Sequence, residues 1–160
     1  MEKEINQIIH TMEENFNEYY RLLNRVQTHM FNADQDYSFL EKELYYQLLV
    51  ENEILEFRLK KIQEMENPYL PAIDINKIES MYKIQNSNQL EILCERFLAL
   101  RKNLLQFLYA TPGSNWERTG LHERDGHITF KELVQRMIRK DREILHRLQE
   151  KFNTQKSNTH

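Results

Sequence analysis

The stretch "INQIIHTMEENFNEYYRLLNRVQTHM", Ile5 to Met30, decides the fold class. Within it Ile5, Ile9, Met12, Phe16, Tyr19, Leu23, Val26 and Met30 recur in steps of four and three. That spacing holds one apolar stripe on one face of a long helix. A mean step of roughly 3.5 is the period of left-handed helix-bundle packing. A long helix with one apolar face needs neighbours to cover it.

Three further helical segments supply them. Ser38 followed by Glu41 has the form of a capping box, so a second helix is expected from there to about Gln63. Its stripe reads Tyr45, Leu48, Asn52, Leu55, Leu59, Ile62, and the adjoining row reads Leu44, Gln47, Glu51, Ile54, Arg58. Pro68 and Pro71 in "ENPYLPAID" end it, and a short helix is expected at "INKIESMYKI". Asn88 with Glu91 repeats the capping pattern. The third helix then offers Leu90, Leu93, Phe97, Leu100, Leu104 and Phe107, beside a row of Cys94, Leu98, Arg101, Leu105 and Leu108. All three glycines fall in "TPGSNWERTGLHERDGHI", which reads as a loop. Thr129 and Glu132 cap a fourth helix, with Ile128 and Leu133 placed as a hydrophobic staple. Its stripe is Phe130, Val134, Met137, Asp141, Ile144 and Leu148, with Asp141 its one charged member. The expectation is an all-α four-helix bundle over residues 1–153, no strand, a flexible tail at 154–160, and the first two helices as antiparallel neighbours.

Composition excludes several functions. With a net charge of −3, the chain has no strong global attraction for nucleic acid or anionic lipid. No apolar run approaches membrane-spanning length, and the N-terminus is too polar and acidic for a secretory signal, so a soluble cytoplasmic protein is expected. The single cysteine, Cys94, allows no internal disulfide and reads as a small core residue. The basic residues of the fourth helix interleave with Glu and Asp, which describes a solvated face rather than a nucleic-acid patch.

Several segments, in order, resemble the DinB-like superfamily of bacterial four-helix proteins. "DYSFLEKELYYQLLVENEILEFRL" is similar to the family's second helix, and "NPYLPAID" to its proline-containing exit. "LEILCERFLALRKNLLQFL", with Phe97 and Arg101, is similar to the third helix. "WERTGLHERDGHITFKELVQRMIRKDREIL" resembles the Trp-x-Arg-x-Gly, Gly-x-x-Thr and His-Asp stretch that enters the fourth. The resemblance implies an up-down-down-up bundle, commonly a homodimer. In many members a divalent metal is held by three histidines, and known activities include thiol S-transfer.

Carried over residue by residue, those ligand positions fall on Gln47, Lys140 and Ile144, and the acidic position of the second helix falls on Asn52. Lys at neutral pH and Ile offer no lone pair to a metal. His146 lies two residues past Ile144, roughly 200° around the helix. His10, His29, His122, His127, His146 and His160 show no i, i+4 pair and read as surface histidines. No metal, cofactor or catalytic residue is therefore expected. Glu51, Arg58, Arg101 and Asp141 lie on or beside apolar faces, which suggests an internal ion-pair network. With Gln47, Asn52, Trp116, Lys140 and Ile144 they are the candidate ligand-binding residues of a degenerate site, open to a small polar or thiol-containing molecule. The leading reading is a dimeric, non-catalytic binding protein. The rival is a thiol-dependent transferase or hydrolase using Lys140 and Asp141 as acid and base. A third is a purely structural interaction module.

Overall fold

The computed structural model describes residues 1–29, 37–82 and 90–158. Most of it is helical: α1 (Glu2–His29), α2 (Ser38–Asn52) continued by a π-helical segment (Glu53–Leu59) and α3 (Lys60–Glu64), the short α4 (Ile75–Tyr82), α5 (Leu90–Ala110) and α6 (Phe130–Asn158). α6 stays helical well past its last stripe residue, into most of the stretch expected as a tail. Its start follows the capping pattern. The Glu132 N–H donates to Thr129 Oγ1 at 3.0 Å, and Ile128 and Leu133 are buried in one cluster. α2 differs. Ser38 is already helical, Tyr37 is the cap residue, and the Tyr37 carbonyl accepts from the N–H groups of Leu40 and Glu41. Met30 and Asn88 lie outside the described residues.

α1 buries its stripe from Ile5 to Val26, with one exchange at the centre. Asn15 is 1% exposed, while Phe16 is only half-buried, near Tyr20 at 6.4 Å between ring centroids. The middle of the interior is polar, so an amide takes the inward position. α1 packs mainly on α5 and α6, and α2 on α5. Among the described residues, α1 and α2 are not a closely packed pair, contrary to the expected adjacency. Eight residues separate them, ample to cross between helices spaced roughly 10 Å apart.

The core forms two apolar clusters. One joins Ile9, Met12, Leu59, Leu104, Trp116, Phe130 and Val134, and the other joins Tyr19, Leu23, Leu44, Phe97, Ile144 and Leu148. Between them α1, α2, α5 and α6 bring together the buried polar residues Asn15, Glu51, Arg101 and Asp141. On α2 the deeper row is Leu44, Gln47 and Glu51, whereas Tyr45 and Asn52 of the expected stripe are half-buried. Within and past the π-helical segment, burial passes to Leu55, Leu59 and Ile62. The wider π turn rephases the helix so that both halves face inward.

The glycine-rich stretch is not plain loop. It holds a short 3₁₀ turn (Gly113–Glu117) and an antiparallel hairpin of β2 (Thr119–His122) and β3 (Gly126–Thr129). β1 (Tyr69–Leu70), from the proline-containing exit, pairs parallel with β2. The expectation of no strand is therefore corrected. The Asp125-Gly126 dipeptide is a hairpin signal, and Gly126 has φ +73°, which favours glycine. Trp116, Arg118 and Gly120 have structural work here. Trp116 is fully buried edge-on to Phe130, at 5.1 Å between centroids. Arg118 donates to the carbonyls of Ile62 and Met65, which closes the end of α3. A Cβ at Gly120 would stand 2.6 Å from Leu70 Cδ1.

Leu70 fastens this sheet to the helical core, so Leu70→Ala should lower unfolding free energy by about 2–5 kcal/mol in urea melts. Its exposed neighbour should tolerate Tyr69→Ala within about 0.5 kcal/mol. Equal effects would show that the sheet is not part of the cooperative core.

Candidate functional site

At mid-height Arg101 of α5 reaches two carboxylates. Its Nη1 and Nη2 donate to Asp141 Oδ2 and Oδ1 at 2.6 and 2.5 Å, a bidentate pair. Glu51 Oε1 lies 2.5 Å from both Nε and Nη2. Asp141 also accepts from Asn15 Nδ2 at 3.3 Å and from the Tyr19 hydroxyl at 3.2 Å. The guanidinium sits 5.4 Å from the ring centroids of Tyr19 and Phe97. Burial disfavours the Arg101 charge, but Asp141 and Glu51 outweigh it and hold its pKa well above the ordinary value. Burial, with the Asp141 charge, pushes the Tyr19 hydroxyl far up, so Tyr19 stays a donor. Glu51 is less well served. Burial pushes it up to about 7 against the pull of Arg101, and its Oε2 has no hydrogen-bond partner.

Beside this layer, between α2 and α6, lies a cavity of about 270 Å³, the space of roughly nine waters. Gln47, Val50, Glu51, Ile54 and Arg58 line one wall, and Leu133, Arg136, Met137, Lys140 and Asp141 the other. Arg101 forms part of the floor, while Ile73 and His122 close the sheet end. Farther along, the α2–α6 seam is bridged by Glu43 and Arg147 at 3.1 Å.

The sheet end is built around Arg58. Its Nη2 donates to the Pro71 carbonyl, while its buried Nε has no partner. Among the described residues no carboxylate stands within salt-bridge distance of Arg58, and Glu53 acts on it only through space. Burial lowers the Arg58 pKa against that pull of Glu53, and the guanidinium remains cationic. His122 Nδ1 accepts from the N–H groups of Arg124 and Asp125 at 3.1 and 3.2 Å, which leaves the ring proton on Nε2. Burial, then the Arg58 charge, lowers the His122 pKa. Arg136 binds Asp125 at 2.7 Å, ties α6 to the hairpin turn, and holds the Asp125 carboxyl below its ordinary value.

Of the sequence candidates, Gln47, Glu51, Arg58, Arg101, Lys140 and Asp141 share this cavity. Asn52 is half-buried and off its wall, and Trp116 and Ile144 are buried in the two apolar clusters. His122, expected at the surface, is brought to the cavity by the hairpin pairing that Asp125-Gly126 signals, whereas Arg136 is exposed, as expected, and reaches the cavity rim from α6 beside Leu133 and Met137.

The metal implied by the resemblance does not fit these residues. Ile144 is 1% exposed among leucines, the Lys140 side chain is 57% exposed beside Glu143, and Gln47 Nε2 donates to Glu43. Among the described residues no group of three or more His, Cys, Asp or Glu is arranged to hold a metal. No helix among them is long and apolar enough to cross a membrane. Comparison with known protein families returns no match, and none of the curated proteins matches the chain.

Glu51 makes stability depend on pH. The folded chain keeps its proton to about pH 7, whereas the unfolded chain loses it near 4.5. Between those values the folded state binds more protons, so stability falls as pH rises, by roughly 3 kcal/mol over the window. Glu51→Gln should lack that decline. Urea melts of both proteins from pH 4.5 to 8 check it, and parallel curves would refute it.

Proposed function

We propose that this chain is a DinB-like four-helix bundle of the up-down-down-up type that binds a small amphipathic anion in the α2–α6 cavity, without catalysis and without the family's metal. In this reading it is a cytoplasmic homodimer and the cavity is a degenerate metal site turned to binding. The observation that carries it is Arg58: a buried guanidinium with an unpartnered Nε and no carboxylate within salt-bridge distance among the described residues, on a cavity whose apolar lining includes Val50, Ile54, Leu133 and Met137. An unpaired buried cation is costly, and an anionic ligand would relieve that cost. Lys140 and Arg136 add positive charge to the same wall.

Catalysis by Lys140 and Asp141 has no comparable support. Both Asp141 oxygens are occupied by Arg101, and Lys140 is largely exposed. Cys94 is fully buried in the second apolar cluster, its thiol pushed up to about 11 by burial, so it is a poor nucleophile.

Calorimetric titration with hexanoate tests the binding reading. Arg58→Ala should weaken hexanoate by about tenfold or more, the value of one charge-assisted hydrogen bond. Glu150→Ala, on the exposed far turn of α6, should leave binding unchanged. Unchanged affinity in Arg58→Ala, or stoichiometric metal in the protein as isolated, would sink the proposal. Sedimentation at micromolar concentration tests the dimer.

A further inference from the structure

The cavity has groups of opposite kind at its two ends: a carboxyl that turns anionic on losing its proton and a guanidinium. At the inner end one cation, Arg101, serves two carboxylates, Glu51 and Asp141. Asn15 and Tyr19 donate to Asp141 as neutral groups, so with both carboxylates ionised the layer keeps one surplus negative charge. Arg101 occupies Glu51 Oε1, and the buried Oε2 has no partner. At the outer end Arg136 is paired with Asp125, while Arg58 is buried, keeps Nε without a partner and has only the through-space pull of Glu53 against its charge. Arg58 stands seven positions after Glu51 along the same wall. Ile54 lies between them on the same wall, with Leu133 and Met137 opposite. A simple carboxylate would satisfy Arg58 and leave Glu51 Oε2 unmet. A buried polar atom in that state is costly.

Resting on the reading of the cavity as a ligand site, we propose that its ligand is a short zwitterion, a primary ammonium and a carboxylate joined by a methylene chain, bound with the ammonium on Glu51 Oε2 and the carboxylate on Arg58. The apolar middle of the cavity takes the chain, and both unmatched groups are neutralised together. Because Arg101 holds Oε1, the proton of a protonated Glu51 rests on Oε2, where the ligand N–H must donate. Binding therefore sends that proton to solvent as the Glu51 carboxylate forms an ion pair with the ammonium. The other titratable groups acting on Glu51 are Tyr19 from α1, Arg101 from α5 and Asp141 from α6, while Lys140, Arg58, Arg136 and His122 complete the titratable lining. His122 lines the same end as Arg58, so hexanoate serves as the reference for any proton uptake there.

The probes are 6-aminohexanoate and hexanoate, titrated by calorimetry at pH 6.5 in two buffers of different ionisation enthalpy. The expected result is roughly tenfold tighter binding of 6-aminohexanoate, with more protons released than for hexanoate. In Glu51→Gln both differences should vanish while hexanoate still binds. Arg101 keeps its bidentate pair with Asp141 in that variant, and the comparison on the unaltered protein stands without it. Equal affinity for the two probes, or a preference that persists in Glu51→Gln, overturns the zwitterion and leaves the anion cavity standing. Binding of neither probe overturns both.

Discussion

The bidentate pair of Arg101 with Asp141 is the contact on which the rest of the interior depends. It joins α5 to α6, draws α1 in through Asn15 and Tyr19, and reaches α2 through Glu51. A buried guanidinium is tolerable only when nearly all its donors are used, and here Nε, Nη1 and Nη2 all are. The geometry accounts for which residues of each helix turn inward at that height. It also accounts for Asn15 displacing Phe16 on an otherwise regular stripe: the partner needed there is a carboxylate's donor, not a ring.

One cation cannot fully satisfy two carboxylates, and Asp141 takes the better share. Asp141 receives two guanidinium bonds plus two neutral donors, while Glu51 keeps one oxygen unmet. That inequality pushes the Glu51 pKa up and makes it the responsive member of the layer. The cavity lies where α2 and α6 part beside it. The π-helical segment carries Ile54 and Arg58 onto the wall, and the small sheet closes the end with Ile73 and His122. An inner negative end, an apolar middle and an outer positive end follow from the order of Glu51, Ile54 and Arg58 along one helix.

Much of this was legible from residue spacing. The four long helices, the Thr129 cap with its staple, and the buried polar set of Glu51, Arg101 and Asp141 all follow from periodicity and the cost of burying charge. Other features were not. Ser38 reads as a cap, yet the Tyr37 carbonyl supplies the first turn instead, because backbone groups compete for the same N–H donors. The strands were missed because they are two to four residues long, too short for an alternation to register. Trp116 and Ile144 were grouped with the site through resemblance alone, and both lie in apolar clusters. Resemblance carries positions, whereas packing decides what each position touches.

The sequence by itself determined that the chain is helical, that its helices are amphipathic, and that four charges, Glu51, Arg58, Arg101 and Asp141, lie on or beside faces meant for the interior. Those are local properties, set by the 3.6-residue period and by each side chain's chemistry. The tertiary structure alone decided which charges pair, which oxygen of Glu51 is left over, and which helices adjoin. It also brought His122 and Arg136 to the cavity. Each of those depends on distances between segments far apart in the chain, and a deficit of one hydrogen bond becomes visible only when every donor nearby has been placed.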